Sequence, residues 1–401
     1  MALNVGNARL DAFVVIDRPP PSRPFIIANR LFFFLIQIAQ AWAMSLPFIL
    51  RITAFSFVDT RKRSLNIKER CYLPLPSNHL PGQRLVVDSF YDIDAQQAVW
   101  GGLWGAFSPV GPIQKVLIHR PGNELRQLDN KSYETYIDDQ ILQDNQGVIG
   151  NDLTGTDPID VALLHRQHDQ LRQALLDSGA EVIDLDFVSP NHPKSIYVHD
   201  LGLVVPGGVI LPRLALGIRQ GEEQAAYRTF AKLGMPVLAT IQGNGFIEGG
   251  SFTMLDERSA VVGRSVRVNQ AGIDQLRTIL AWQEMELIVV DLPADRIHLD
   301  ELFMLVDTKT ALVEPKRLPY WFLKELRSRG YRLIYTDPND PDRAANCLTL
   351  APGHVLIASE YPGTIKQLQQ AGIRTKTIDT TEIRKIGGGI HCAALPLVRG
   401  Q

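Results

Sequence analysis

Cysteine is scarce. Three residues in 401 (Cys71, Cys347 and Cys392), with no Cys-x-x-Cys pair, support neither a disulfide framework nor a structural zinc site, and they fit a reducing compartment, so a cytoplasmic location is expected. Blocks of one charge are missing too: 41 Lys and Arg against 43 Asp and Glu leave a net charge of -2 without a basic stripe, which argues against a nucleic-acid partner. Only one uncharged run bears on a membrane, residues 31–50 between Arg30 and Arg51, about the minimum length for a bilayer. Gln37, Gln40, Ser45 and Pro47 interrupt it, and it starts late and lacks a cleavage site for a signal peptide. Membrane association through 31–50 therefore stays open but is not favoured. Residues 1–94, with Pro19-Pro20-Pro21 and no periodic design, read as an N-terminal extension without a specified structure; a start codon placed too far upstream is an alternative origin for them.

What is present is a chain able to bury a full core, 45% hydrophobic and 21% charged. From about residue 95 onward it repeats in kind. An amphipathic helix pattern, a break and a short apolar strand recur over 165–186, 222–241, 271–292, 318–337 and 361–379, with glycine at every break but the third. Leu171, Leu175 and Leu176, and Phe322, Leu323 and Leu326, are read as core stripes. Between the helices, 196–211, 246–262, 303–313 and 347–358 read as hairpins around Pro206-Gly207-Gly208, Asp256-Glu257, Asp307-Thr308 and Pro352-Gly353. A ββαβ unit repeated at roughly 40 to 55 residues suits a propeller or a solenoid. Polar residues recurring at one kind of position, the start of a hairpin, favour closure around a centre. The expected fold is α/β, a five-bladed pseudo-symmetric β/α propeller over 95–401.

Those hairpin starts hold Asp200 (in Tyr197-Val198-His199-Asp200), Glu248 (before Gly249-Gly250), and His298 and Asp300 (in Ile297-His298-Leu299-Asp300). Cys392 closes the run Gly387-Gly388-Gly389-Ile390-His391-Cys392. Singly, a Cys is more often a small buried hydrophobe and a His a satisfied core residue. Together they would place three carboxylates, an imidazole and a thiol in one pocket. Carboxylates so gathered repel unless a cation joins them, and a planar guanidinium matches them better than a metal ion does, so no metal is expected. Its delocalised charge makes it a poor electrophile, which calls for a thiolate at Cys392 and a proton carrier at His298. A thiol on a glycine-rich turn is also open to close approach by a ligand. His165 and His168 read as solvated, Cys71 and Cys347 as inert, His391 as structural or pocket-lining. Asn346 is either a turn residue or a pocket contact.

These motifs, taken in order, resemble the guanidine-modifying enzymes of the pentein fold: arginine deiminase, agmatine deiminase, dimethylargininase and the amidinotransferases. The resemblance runs from Trp100 to Arg399 and includes Trp100-Gly101-Gly102-Leu103-Trp104-Gly105 and Val116-Leu117-Ile118-His119-Arg120-Pro121-Gly122. It implies Cys392 as nucleophile, His298 as acid/base, and Asp200, Glu248 and Asp300 as the guanidinium clamp. Departures are Ser251 where many members have Asp, His199 before Asp200 where Arg is usual, and Gly387 where arginine deiminases carry an arginine. Lys385 or Arg384 could replace that arginine. Arg267 and, less so, Arg219 are candidates for a substrate carboxylate; Arg213 and Arg219 read more simply as solvated.

The expected function is hydrolysis of a guanidino compound, arginine or a substituted arginine, without a cofactor. An amidinotransferase is the alternative, and a non-catalytic member that binds a guanidino ligand or a protein is the second. The partner expected is the small guanidino substrate; the oligomeric state is not written in the sequence.

Overall fold

Short aliphatic runs bounded by turn residues make hairpins, and an amphipathic helix after each hairpin buries its stripe only by doubling back over the sheet. The computed structural model describes residues 2–5, 8–11, 90, 92–127 and 158–400. The chain divides into two compact units, Met1–Leu80 and Pro81–Gln401. In the first, β1 (Ala2–Val5) and β2 (Ala8–Asp11) pair antiparallel, Ala2 opposite Asp11. The apolar run 31–50 and Cys71 lie outside the described residues. Among the described residues, no helix is long and apolar enough to cross a membrane.

The second unit opens with α1 (Ile93–Trp100), whose first turn is capped by Asp92 accepting from the Ala95 amide. β3 (Gly105–Ala106), β4 (Ile113–Ile118), α2 (Val161–Asp177) and β5 (Glu181–Asp184) follow. Then a pattern repeats four times, a hairpin, a helix and a third strand. The copies are β6 (Leu203–Val205), β7 (Gly208–Leu211), α3 (Glu222–Leu233), β8 (Val237–Thr240); β9 (Phe252–Asp256), β10 (Ser259–Arg264), α4 (Gln270–Ala281), β11 (Glu286–Asp291); β12 (Phe303–Asp307), β13 (Thr310–Val313), α5 (Tyr320–Ser328), β14 (Arg332–Tyr335); and β15 (Leu348–Ala351), β16 (His354–Ala358), α6 (Pro362–Gln370), β17 (Arg374–Ile378). In each copy the middle strand runs antiparallel to the first and parallel to the third. A short α7 (Thr381–Lys385) leads to β18 (Leu395–Arg399). β18 pairs antiparallel with β4, Leu395 opposite Leu117, so the last strand takes the hairpin partner's place in the first sheet, ordered β3-β18-β4-β5. The inner strands β3, β6, β9, β12, β15 and β18 all contribute to the wall of one cavity.

Middle strands are buried along nearly their whole length, whereas the third strands are half-exposed. The anticipated hairpins and helices all form. Of the expected core stripes, Leu171, Leu175, Phe322 and Leu326 are fully buried and Leu323 packs partly buried beside them. Leu176 does not belong with them: it is 46% exposed, because α2 turns it past the edge of the stripe. His168 also departs from expectation. It sits on the buried side of α2 with neither ring nitrogen partnered among the described residues, and burial pushes its imidazole down to about 3. His165 is half-buried, with Nε2 2.8 Å from the Pro121 carbonyl.

The glycine breaks sit at left-handed backbone angles, φ 89° at Gly179 and 76° at Gly234. The break between α4 and β11, the third in the sequence, needs the same turn and makes it with Glu284, at φ 56°. A side chain there costs about 1 kcal/mol that glycine avoids. Glu284→Gly is therefore expected to stabilise the fold by about 1 kcal/mol, read as a higher urea midpoint; a lower midpoint would show that the exposed Glu284 side chain contributes more than its backbone costs.

Candidate functional site

The residues singled out in the sequence occupy one kind of place, the turn that enters the first strand of a sheet. Single 3-10 turns at Val198–Leu201, Gly249–Ser251 and Leu299–Glu301 lead into β6, β9 and β12, and they pack on one another. Asp200 lies in the first, Glu248 and His298 immediately precede the second and third, and Asp300 lies in the third. Asn346 stands before β15, and Gly387 to Cys392 before β18. Close packing explains the glycines. A Cβ on Gly250 would lie 2.7 Å from His298 Nδ1, and the Gly250 amide donates to Asp200 Oδ1 at 3.0 Å. A Cβ on Gly389 would lie 2.3 Å from Asn346 Oδ1. The space beside Cys392 at that position is thus taken by Asn346, where the sequence had suggested room for a ligand.

His298 is the electrostatic centre. Its Nε2 lies 2.8 Å from Glu248 Oε2 and its Nδ1 3.7 Å from Asp200 Oδ1. Burial alone would lower its pKa, but Asp200 and Glu248 outweigh burial and hold the imidazole up at about 9, so it is a cation at neutral pH and Nε2–H donates to Glu248. Burial pushes the Glu248 carboxyl up, yet Arg267, with Nη1 at 3.5 Å, and His298 bring it below the usual carboxylate range. Asp200 is likewise lowered, His298 and Arg219 prevailing over burial. Asp300 behaves otherwise: burial dominates and raises it to about 6.

Cys392 is 6% exposed, with Sγ 3.6 Å from Asp300 Oδ2 and 3.4 Å from Asn346 Nδ2. Burial, with Asp300 and Asp200 adding to it, pushes the thiol well above its ordinary pKa. The charges of Asp200 and Asp300 thus bear on the thiol and on the imidazolium alike. Cys347 is buried and a free thiol.

Arg219 is not solvated. It is 2% exposed, its Nη1 paired with Asp200, its Nη2 donating to Glu222 Oε2 at 2.8 Å and to the Tyr197 carbonyl at 3.0 Å. Arg267 is as buried and approaches Glu248. The carboxylates are thus neutralised by three cations of the protein itself, Arg219, Arg267 and protonated His298, so their gathering does not by itself require a bound cation. Arg213 is half-buried over the Phe246 ring, 4.6 Å from its centroid. Arg384 lies over the Tyr361 ring, and Lys385 donates to Glu382 at 2.8 Å. Asp200, Glu248 and His298 have ligand atoms within 4.8 Å of one another, compact enough for a metal ion. Two guanidinium neighbours and a protonated imidazole oppose a divalent cation there.

Two parts were not legible, and a third, His391, is read from the sequence only as structural or pocket-lining. Glu222, three positions after Arg219, anchors that arginine. Tyr197 holds the loop that carries Cys392, its hydroxyl donating to the Ile383 carbonyl and accepting from the Gly388 amide, both at 2.7 Å. His391 Nδ1 reaches Asp300 Oδ2 at 2.8 Å. Adjacency to Cys392 was the one signal for His391, and the i, i+3 spacing for Glu222.

Residues 151–399 match the family described as N,N dimethylarginine dimethylhydrolase, eukaryotic. An uncharacterized protein of Bacillus subtilis, YkgA, is 28% identical over 295 residues, 73% of this chain and 94% of that one. The N(G),N(G)-dimethylarginine dimethylaminohydrolase of Pseudomonas aeruginosa is 26% identical over 238 residues, 59% of this chain and 89% of its own. The structure of that enzyme complexed with citrulline superposes with a TM-score of 0.57, covering 71% of this chain and 99% of the other at 22% identity. SxtG, an amidinotransferase of Microseira wollei from the saxitoxin pathway, gives a TM-score of 0.59 at 16% identity, covering 74% and 98%. With the family match spanning more than half of its length, the chain belongs to the dimethylarginine dimethylhydrolase family and, through it, to the pentein guanidine-modifying superfamily.

Proposed function

We propose that residues 95–401 form a catalytic domain, a five-bladed β/α propeller whose entry turns build one active site, and that this site hydrolyses the guanidino group of arginine or a substituted arginine through a covalent intermediate on Cys392. One observation carries the reading: a buried thiol, Cys392, lies on Asp300, a buried imidazolium, His298, lies on Glu248 and beside Asp200, and the charges of Asp200 and Asp300 act on both. The inner strands of all five sheets around one cavity, and the last strand completing the first sheet, support the propeller.

The substrate guanidinium takes the places of Arg219 and Arg267 on Asp200 and Glu248, and Asp300 completes the clamp. The two displaced arginines are then the cations at hand for a substrate carboxylate. Arrival of a positive charge lowers the Cys392 pKa, and the thiol proton leaves through Asp300 Oδ2. The thiolate attacks the guanidinium carbon. As the C–N bond breaks, its electron pair stays on nitrogen and His298 protonates the departing ammonia or amine, leaving a thiouronium on sulfur. Neutral His298 then takes a proton from water, whose oxygen attacks the same carbon; the C–S bond breaks and a ureido product leaves. If an amine reaches the thiouronium before water, the same residues run an amidinotransferase, for which the fold shared with SxtG speaks. Free thiols at Cys347 and Cys392 suit a cytoplasmic setting.

The test is a panel of guanidino compounds, arginine and methylated arginines among them, assayed for ammonia, amine and ureido product with and without an amine acceptor. Ureido product independent of the acceptor supports the hydrolase; amidino transfer supports the alternative; inertness towards the whole panel overturns both. The pH dependence of kcat/KM is expected to be a bell. Activity should rise as Asp300 ionises near 6 and fall as His298 loses its proton near 9. A profile still rising at pH 10 would remove His298 as the acid.

A further inference from the structure

Beneath the nucleophile loop, and sharing His391 with it, lies a cavity of about 70 Å³ walled by Val204, Met254, Met304, Thr349, His199 and Arg399 among others. None of Cys392, His298, Glu248, Asp200 or Asp300 lines it. Its one cation is unusual. Arg399 is 7% exposed and has no ion pair among the described residues; Nη1 donates to the Gly111 carbonyl at 2.8 Å and Nη2 to the Thr349 carbonyl at 2.9 Å. That commits two of the five N–H donors of a guanidinium. Burial pulls its pKa down to about 10, which still leaves it charged. A charge buried without a counter-ion is costly, and an anion that enters the cavity relieves it.

The two imidazoles complete the chemistry. Their rings stack with centroids 3.8 Å apart. His199 Nδ1 faces the Ala394 carbonyl at 2.8 Å, which can only accept, so the proton is on Nδ1. His391 Nδ1 faces the Asp300 carboxylate, with the same result. Burial keeps both rings neutral, at about 3, so each Nε2 carries a lone pair. Neither Nε2 has a partner in the described protein. The wall therefore offers a fixed positive donor and two neutral acceptors.

An anion that only accepts, such as chloride or nitrate, satisfies the arginine but faces two lone pairs. An oxyanion that keeps one O–H satisfies the arginine and one of the two lone pairs. We propose that this cavity binds a small protonated oxyanion of the hydrogencarbonate class, its charged oxygens on Arg399 and its hydroxyl donating to an imidazole Nε2. None of the residues proposed to hold or attack the guanidinium lines the site, and it does not depend on Cys392 being a nucleophile.

Binding is tested on the full chain by titrating hydrogencarbonate at constant pH and ionic strength, against chloride and nitrate, with thermal stability and the 13C resonance of labelled hydrogencarbonate as readouts. Saturable stabilisation by hydrogencarbonate, at least about tenfold tighter than by chloride, is expected. Arg399→Gln should weaken it by about tenfold or more, and Arg399→Lys by less. Equal affinity for chloride, or no saturable response in the unaltered protein, would overturn the proposal. The selectivity needs no variant, so it decides even if Arg399→Gln does not fold.

Discussion

Cys392→Ser is expected to lower turnover by about 10^4-fold or more while the unfolding midpoint stays within about 0.5 kcal/mol of the parent. The size of the loss follows from the chemistry. A guanidinium carbon resists attack, and a hydroxyl in this setting, beside Asp300 and buried, has no route to an alkoxide near neutral pH. The fold should survive because serine is nearly isosteric and the loop is held by other contacts, the Tyr197 hydroxyl on Gly388 and Asn346 on the His391 amide at 3.1 Å. With a slow substrate, the parent should accumulate a mass adduct on Cys392 that the variant lacks. Retained turnover in the serine variant would end the covalent reading.

Glu248→Gln should be nearly as severe, about 10^2- to 10^4-fold in kcat/KM, and it carries a second readout. The amide can still meet His298 Nε2, but it no longer holds the imidazole protonated or balances Arg267. The His298 pKa should fall from about 9, and the alkaline limb of the pH profile should move to lower pH with it. A merely structural role for Glu248 would reduce activity without moving that limb. An alkaline limb fixed in place would mean that Asp200 alone sets the proton on His298.

Much of this was legible in the sequence, for identifiable reasons. The hairpins and helices announce themselves because each strand pair and each helix stripe repeats its own period between turn residues. Asp200, Glu248, His298, Asp300 and Cys392 are visible as polar interruptions at equivalent places. The structure gathers them at one site, and their roles await the variants above. What stayed hidden depends on contacts between distant segments. Beyond Glu222 three positions on, nothing local marks Arg219 as buried, since its other partners Asp200 and Tyr197 come from a different turn. His168 follows the same rule: its face of α2 was read as solvated, and only the placement of the first sheet decides otherwise. Glu284 shows the converse, a turn required by the architecture that the sequence meets without the usual residue.

The pairing of β18 with β4 joins residues 395–399 to residues 113–118, nearly the two ends of the described domain. Cys392 lies three residues upstream of that seam. Docking the seam and seating the sulfur are therefore one event, and it demands a very large loop closure, a contact that tends to form late. A newly made chain should pass through a stage in which four sheets are complete and the thiol is still unplaced. Reactivity towards guanidino compounds, and protection of that thiol from alkylating reagents, should then appear together at the end of assembly.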